Sequence, residues 1–300
     1  KGIVGGIVLF EFNLNPSNTK KNLKQLTQDL QNAAAIPLLI TIDQEGGQVN
    51  RLKTKYGYPA MPSAKSIGNK NNDSVTHLWS ATIANSLMES GINVNYAPVL
   101  DIHHSKCPVL GKRERCFSSN PSEITKHASI LIEEHHHLGI KTTLKHFPGH
   151  GSSTSDTHLG IADVTKNWNK KELEPYKNLI NEGMVDIIMT AHIVNRKLDP
   201  SGLPATLSSK IVTGLLRNEL GYRGVIISDD MQMHAITKYY GLEESILKCI
   251  DAGVDILLFS NNIKGSTQYN VENIHAIIKK LILHNKISIA RIQESYDRIM

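Results

Sequence analysis

The residues with the clearest capacity for chemistry lie in one stretch, Lys145-His146-Phe147-Pro148-Gly149-His150-Gly151-Ser152-Ser153-Thr154-Ser155-Asp156-Thr157-His158. It closes an apolar run, Gly139 to Leu144, that reads as a buried strand. It then passes into a Gly/Ser loop, which carries no packing information and is expected to be mobile. The strand end would present Lys145 and His146 as a substrate clamp. The loop would carry Asp156 and His158, two residues apart. A carboxylate near an imidazole favours the imidazolium and orients the ring. Such a pair can give a proton to a leaving group and later take one from water, and on a movable loop it would close over bound substrate.

A second constellation is Asp229-Asp230, which follows the apolar run Gly224 to Ser228. Adjacent side chains on a strand point to opposite faces, so only one of the pair should enter a site at the strand end. Asp229 would serve as a nucleophile or general base; Asp230 has the alternative of capping the short helix after Met231. A carboxylate on a rigid strand, opposed by an acid/base group across a scissile bond, is what retaining glycoside hydrolysis needs. Asp43, Arg51, Arg115, Lys145, His146 and His192 are candidates for binding. A carboxylate accepts two hydrogen bonds from neighbouring sugar hydroxyls, and Arg and Lys donate. Surface salt bridging is the alternative for Arg51 and Arg115. His150, Asp156 and His158 are also an alternative set of metal ligands. That reading ranks lower because a Gly/Ser loop is a poor scaffold for rigid coordination.

The elements that must hold these residues follow a regular rhythm. Ile3–Phe10, Pro37–Ile42, Ile92–Leu100, Gly139–Leu144, Val185–Ala191, Gly224–Ser228 and Val254–Phe259 read as strands. Helical spacing marks 20–34, 74–90, 121–138, 170–182, 208–220, 242–252, 271–284 and 288–299. Ser208 or Ser209 would cap the fifth of these. Adjacent residues cannot share a helix face, so the triplet His135-His136-His137 is expected in solvent. Strands that look buried on both faces and alternate with helices predict a parallel sheet covered by helices. Nearly every strand releases a polar or charged group at its C-terminal end, which favours a (β/α)8 TIM barrel over an open doubly wound sheet. About seven strands are countable, so the barrel's first strand is expected upstream of Lys1, with the chain truncated at its N-terminus. No Pro/Ser-rich break divides residues 1–300, which read as a single domain.

Composition narrows the classes. The 300 residues are 40% hydrophobic and 20% charged, with a formal net charge of +5. That is ample for a packed core. The basic residues are spread along the chain, which argues against a nucleic-acid partner and suits a small polar substrate. Three cysteines, Cys107, Cys116 and Cys249, contain no Cys-x-x-Cys pair, so a structural zinc site is not expected. Cys107 and Cys116 lie in one loop and either pair in an oxidising compartment or stay as separate thiols. No stretch reaches the length of a membrane span. The chain starts at Lys1, so the sequence leaves a leader open.

The block Lys145-His146-Phe147-Pro148-Gly149-His150-Gly151, followed by Asp156-Thr157-His158, resembles the signature of glycoside hydrolase family 3, in its bacterial β-N-acetylhexosaminidase branch. Asp43-Gln44-Glu45-Gly46-Gly47, Asn95 to Asp101, and Ser228-Asp229-Asp230-Met231 resemble the family's other blocks, in the same order. The resemblance spans essentially the whole chain. It implies a (β/α)8 barrel and a two-step, retaining exo-hydrolysis of terminal β-linked N-acetylglucosamine from cell-wall muropeptide or chitooligosaccharide fragments. It implies Asp229 as nucleophile and His158 as acid/base assisted by Asp156. Asp43, Arg51, Arg115, Lys145 and His146 would bind the terminal sugar. No metal or other cofactor is expected, and the chain is expected to act as a monomer on a small carbohydrate. The bacterial cytoplasm and periplasm both remain open. The rivals are a β-glucosidase or a glycoside phosphorylase of the same family, and a metal-dependent barrel hydrolase. The Gly151–Ser155 loop and the sequence after Asp156 depart from the better-known members, and many members carry a second domain that contributes to the site.

Overall fold

The computed structural model describes residues 4–156, 160–262 and 267–300. Six parallel strands form one sheet in the order β1 (Gly6–Leu9), β2 (Leu39–Ile42), β3 (Val94–Asn95), β4 (Lys141–Phe147), β6 (Ile187–Thr190) and β8 (Val225–Ser228). The remaining two, β5 (Ala162–Asp163) and β7 (Ile193–Val194), pair with each other above it. Consecutive parallel neighbours require crossovers. These are α1 (Thr19–Asn32), α2 (Ala64–Lys70), α3 (Asp73–Glu89), α4 (Pro121–His136), α5 (Glu174–Asn181) and a wider-wound helix at Lys210–Glu219. Caps mark where several of these begin. Asn72 accepts from Val75 N, Asn120 from Ser122 N, and Ser208 Oγ from Ile211 N. Among the described residues, no helix is long and apolar enough to cross a membrane.

The sheet is curled. Its inner face gathers Val94, Tyr96, Ile187, Met189 and Ile227 in one cluster, with Val8 and Leu39 from one edge and Ile256 and Leu258 from the other packed against it. Strands lie about 4.8 Å apart, so a flat sheet would hold those edges more than ~20 Å from each other. The stretch 254–259 runs beside β8, joined by a bridge from Ile256 to Ile227 and by Ser228 N donating to Ile256 O. The larger apolar core lies between the outer face and the helices and includes Ile40, Ile42, Ile83, Leu87, Leu131, Leu144 and Ile188.

This is an α/β half-barrel, and the expected TIM barrel is met to that extent; no closed eight-stranded sheet forms among the described residues. Other differences from the sequence reading have local causes. β4 does not stop at Leu144 but continues through Lys145, His146 and Phe147, because Lys145 bridges to Val99 and Phe147 pairs with Thr190. The pair β5 and β7 is too short to show a period. His135 is not in solvent. It turns inward from α4, where its ring donates from Nδ1 to Leu131 O at 2.8 Å and accepts from Asn95 Nδ2 at 3.0 Å. Burial lowers its pKa to about 4, so it is a neutral pin beneath β3; His136 and His137 are exposed as expected.

Candidate active site

The C-terminal end of β2 turns sharply, and one side chain holds the turn. Gln44 Oε1 accepts from the backbone N–H groups of Arg51 and Leu52, and its Nε2 donates to Asn50 at 2.6 Å. This leaves Asp43 and Glu45 on either side of Gln44, facing the mouth of the half-barrel. Lys145, at the end of β4, donates to both, at 2.7 Å each. Its side chain is only 1% exposed, so the ammonium is removed from water and repaid by two carboxylates. Arg115, from the long connection after β3, grips Glu45 in two-pronged fashion at 2.8 and 2.7 Å. Burial works against the charged form of Glu45, but Arg115 and Lys145 overcome it and hold the carboxyl at about 2.

His146 follows Lys145 and completes the cluster. Its Nδ1 donates to Asp101 at 2.7 Å, and its Nε2 sits 3.4 Å from Arg115. That network places the imidazole proton on Nδ1 and directs Nε2 outward as an acceptor. Asp101 also accepts from the backbone N–H groups of His146 and His150, the latter at 2.6 Å. Burial opposes its charge, yet His146 and His150 keep its pKa below the ordinary value. Arg51 stands at the rim, 3.6 Å from Asp43. Its Nε is buried with no partner among the described residues.

Asp229 follows the end of β8, two strands along the sheet from β4. Its backbone N–H donates to Thr190 O, and its Oδ1 accepts from Asp230 N at 2.8 Å. Asp230 turns away from it, accepting from Gln232 N and from both the backbone and hydroxyl of Ser260. The two carboxylates therefore diverge as strand geometry requires, and Asp230 takes the turn-capping role. His192 is fully buried behind them. Its Nδ1 pairs with Thr206 Oγ1 at 2.8 Å and its Nε2 with Asp230 O at 3.0 Å. Both ring nitrogens are thus engaged in holding the end of β8, whereas the sequence reading put His192 among the sugar ligands. His150 is buried beside His146, and burial lowers its pKa to about 4. Asp156 is half-buried. His158 lies outside the described residues.

The structure thus joins Asp43, Lys145, Arg115 and His146 in one network, with Arg51 beside it and Asp229 at the end of β8, two strands along from β4. The sequence reading missed Glu45 and Asp101 as members. Each carried a signal, since Glu45 is two residues beyond Asp43 and Asp101 ends a strand run. Cys107 and Cys116 are buried free thiols in one small cluster next to Arg115, not a disulfide. Among the described residues, no group of three or more His, Cys, Asp or Glu side chains is placed to hold a metal ion.

A parallel half-barrel with charged strand ends gathered at one mouth is the framework of a barrel-type active site. The model of the glycosyl hydrolase family 3 N terminal domain matches residues 1–300, and the chain belongs to that family. It is 34% identical to a beta-hexosaminidase of Nitrosomonas eutropha over 87% of this chain and 74% of that protein. It is 35% identical to one of Tolumonas auensis over 88% and 77%. A solved family 3 beta-N-acetylglucosaminidase from Paenibacillus sp. str. FPU-7 superposes with a TM-score of 0.88 at 34% identity, covering 99% of this chain. The chain spans 56% of that structure's length.

Proposed function

We propose that this chain is the catalytic domain of a retaining exo-β-N-acetylglucosaminidase that releases terminal β-linked N-acetylglucosamine from cell-wall muropeptide or chitooligosaccharide fragments. The observation that carries the reading is the buried network of Asp43, Glu45, Arg115, Lys145 and His146 at the strand ends of a sheet whose β8 ends at Asp229, in a family 3 chain. Neighbouring sugar hydroxyls would donate to Asp43 and accept from Lys145, Arg51 and Arg115. Because these groups are already fixed by one another, little side-chain entropy remains to be lost when sugar binds. The strand ends supply a rigid floor, and the half-barrel is read as the greater part of a (β/α)8 barrel.

In the first step Asp229 attacks the anomeric carbon, forming a carbon–oxygen bond as the glycosidic bond breaks. His158, oriented by Asp156, delivers its proton to the departing oxygen. In the second step water attacks the same carbon, His158 takes the water's proton, and Asp229 leaves as carboxylate. The two inversions return the β-anomer. Proton NMR of the first sugar released from an aryl β-N-acetylglucosaminide tests this: β-N-acetylglucosamine appears before mutarotation if the reading is right. Initial α-anomer, or turnover that requires phosphate, would contradict it.

A further inference from the structure

Behind the strand end that carries Lys145 and His146 lies a buried acid that this chemistry does not use. Glu172 sits in the single turn Lys170–Leu173, opened by Asn169 accepting from Lys171 N, and is 1% exposed. Among the described residues, neither of its carboxyl oxygens has a hydrogen-bond partner. The nearby Ser152 hydroxyl and the Tyr176 hydroxyl, one turn further on, are buried and likewise without partners among the described residues. Above Glu172 runs the turn that starts the loop. Gly149 has φ of +112° and lies so close that a Cβ there would come within 2.5 Å of Glu172 Oε2 and 2.6 Å of its Cβ. The neighbouring residue is tied from the same side, with Trp168 Nε1 donating to Pro148 O at 3.0 Å.

We propose that Glu172 is a positioning residue whose carboxyl group props the Gly149–Ser152 turn, and so sets where the segment leading to Asp156 leaves the barrel mouth. Its link to catalysis rests on the acid/base assignment above; its link to the loop does not. The support is an acid held in place by packing. A neutral carboxyl can donate to Ser152 Oγ and accept from the Gly151 and Ser152 N–H groups that border it, whereas a carboxylate would face the Asp101 carboxylate. The ionisable groups that face Glu172 include Asp101 from the connection after β3 and Tyr176 from α5. Burial, and then the Asp101 charge, push the Glu172 pKa up to about 8, while Ser152 pulls it down. Opening of the turn would let the acid ionise at its ordinary value of 4.5. Opening is therefore coupled to loss of a proton between those two values.

Hydrogen exchange of the 149–156 backbone in the whole chain, corrected for intrinsic base catalysis, tests the prop without needing turnover. The opening constant is expected to rise by up to about tenfold per pH unit between about pH 5.5 and 7.5 and to level off above about 8. In Glu172→Gln, which keeps the shape and cannot ionise, it should be flat. In Glu172→Ala exchange of 149–156 should be faster at every pH. A Glu172→Gln protein with the wild-type slope would overturn the proposal, as would a Glu172→Ala protein with unchanged exchange. If Glu172→Ala does not fold, the Gln slope alone decides. Loss of the glycosidase reading would show as absent turnover with the exchange pattern intact.

Discussion

The two walls of the mouth are built differently. On the β2–β4 side six charged or polar groups hold one another: Asp43 and Glu45 share Lys145, Glu45 takes Arg115, and Asp101 takes His146. Every charge there has a partner before substrate arrives. The loop side, from Gly149 to Asp156, is a run of glycine and serine that leans on Glu172 and Trp168. The difference follows from the tasks proposed for each wall. A sugar pocket gains from fixed donors and acceptors, because a fixed group loses no entropy on binding. An acid/base group must admit substrate, approach the leaving oxygen and release product, so it belongs on a segment with fewer anchors.

The strongest way to break this contrast is to remove the proposed nucleophile at the end of β8. Asp229→Asn is expected to lower kcat by about 10⁴-fold or more while chitobiose binding, read by calorimetry, stays within a few-fold. A comparable loss of binding would mean that Asp229 belongs to the sugar pocket. Next in size is the network itself. Glu45→Ala leaves Lys145 and Arg115 facing each other in a buried space and should destabilise the fold by about 3–5 kcal/mol in urea unfolding. A loss below ~1 kcal/mol would show that the network is solvated and not preorganised.

The loop wall is sharpened by leaving-group dependence. His158→Ala should lower kcat/KM for chitobiose by about 10²–10⁴-fold and much less for an activated aryl glycoside, because proton donation matters most when the leaving oxygen is basic. Equal losses on both would remove His158 from the acid role. The smallest effect concerns acid. Glu45 is held at about 2 in the fold against an ordinary 4.5, so its stabilisation is complete above about pH 4.5 and fades as pH falls towards 2. Melting temperature measured from pH 5 to 2.5 should therefore fall less steeply in Glu45→Gln than in the wild type. An identical slope would mean the Glu45 carboxyl is ordinary.

How much of this was legible in the sequence depended on whether a residue's role was local. The placement of Asp43, Lys145 and Asp229 at strand ends was readable because each directly follows a strand run, and His146 comes with Lys145. The half-barrel was readable from the same alternation. Glu45 and Asp101 were harder, since their value lies in partners 100 and 45 residues away: Lys145 for the first, His146 for the second. His192 was misleading for the opposite reason. It too ends a strand, but Thr206 and the Asp230 carbonyl capture both ring nitrogens, and neither contact has a sequence signal. His135 belongs to the same class, with Asn95 as the distant partner that draws it inside. Glu172 had no signal at all, because an acid in a polar turn looks like any surface acid until the chain above it is placed.

The most direct test of the central claim is a covalent trap. The full protein would be incubated with a slow fluorinated N-acetylglucosaminyl substrate analogue, digested, and the labelled peptide located by mass spectrometry. The account predicts one sugar adduct, on Asp229, and none in Asp229→Asn. An adduct on Asp230 or elsewhere, or continued turnover of N-acetylglucosaminides with no adduct formed, would contradict it.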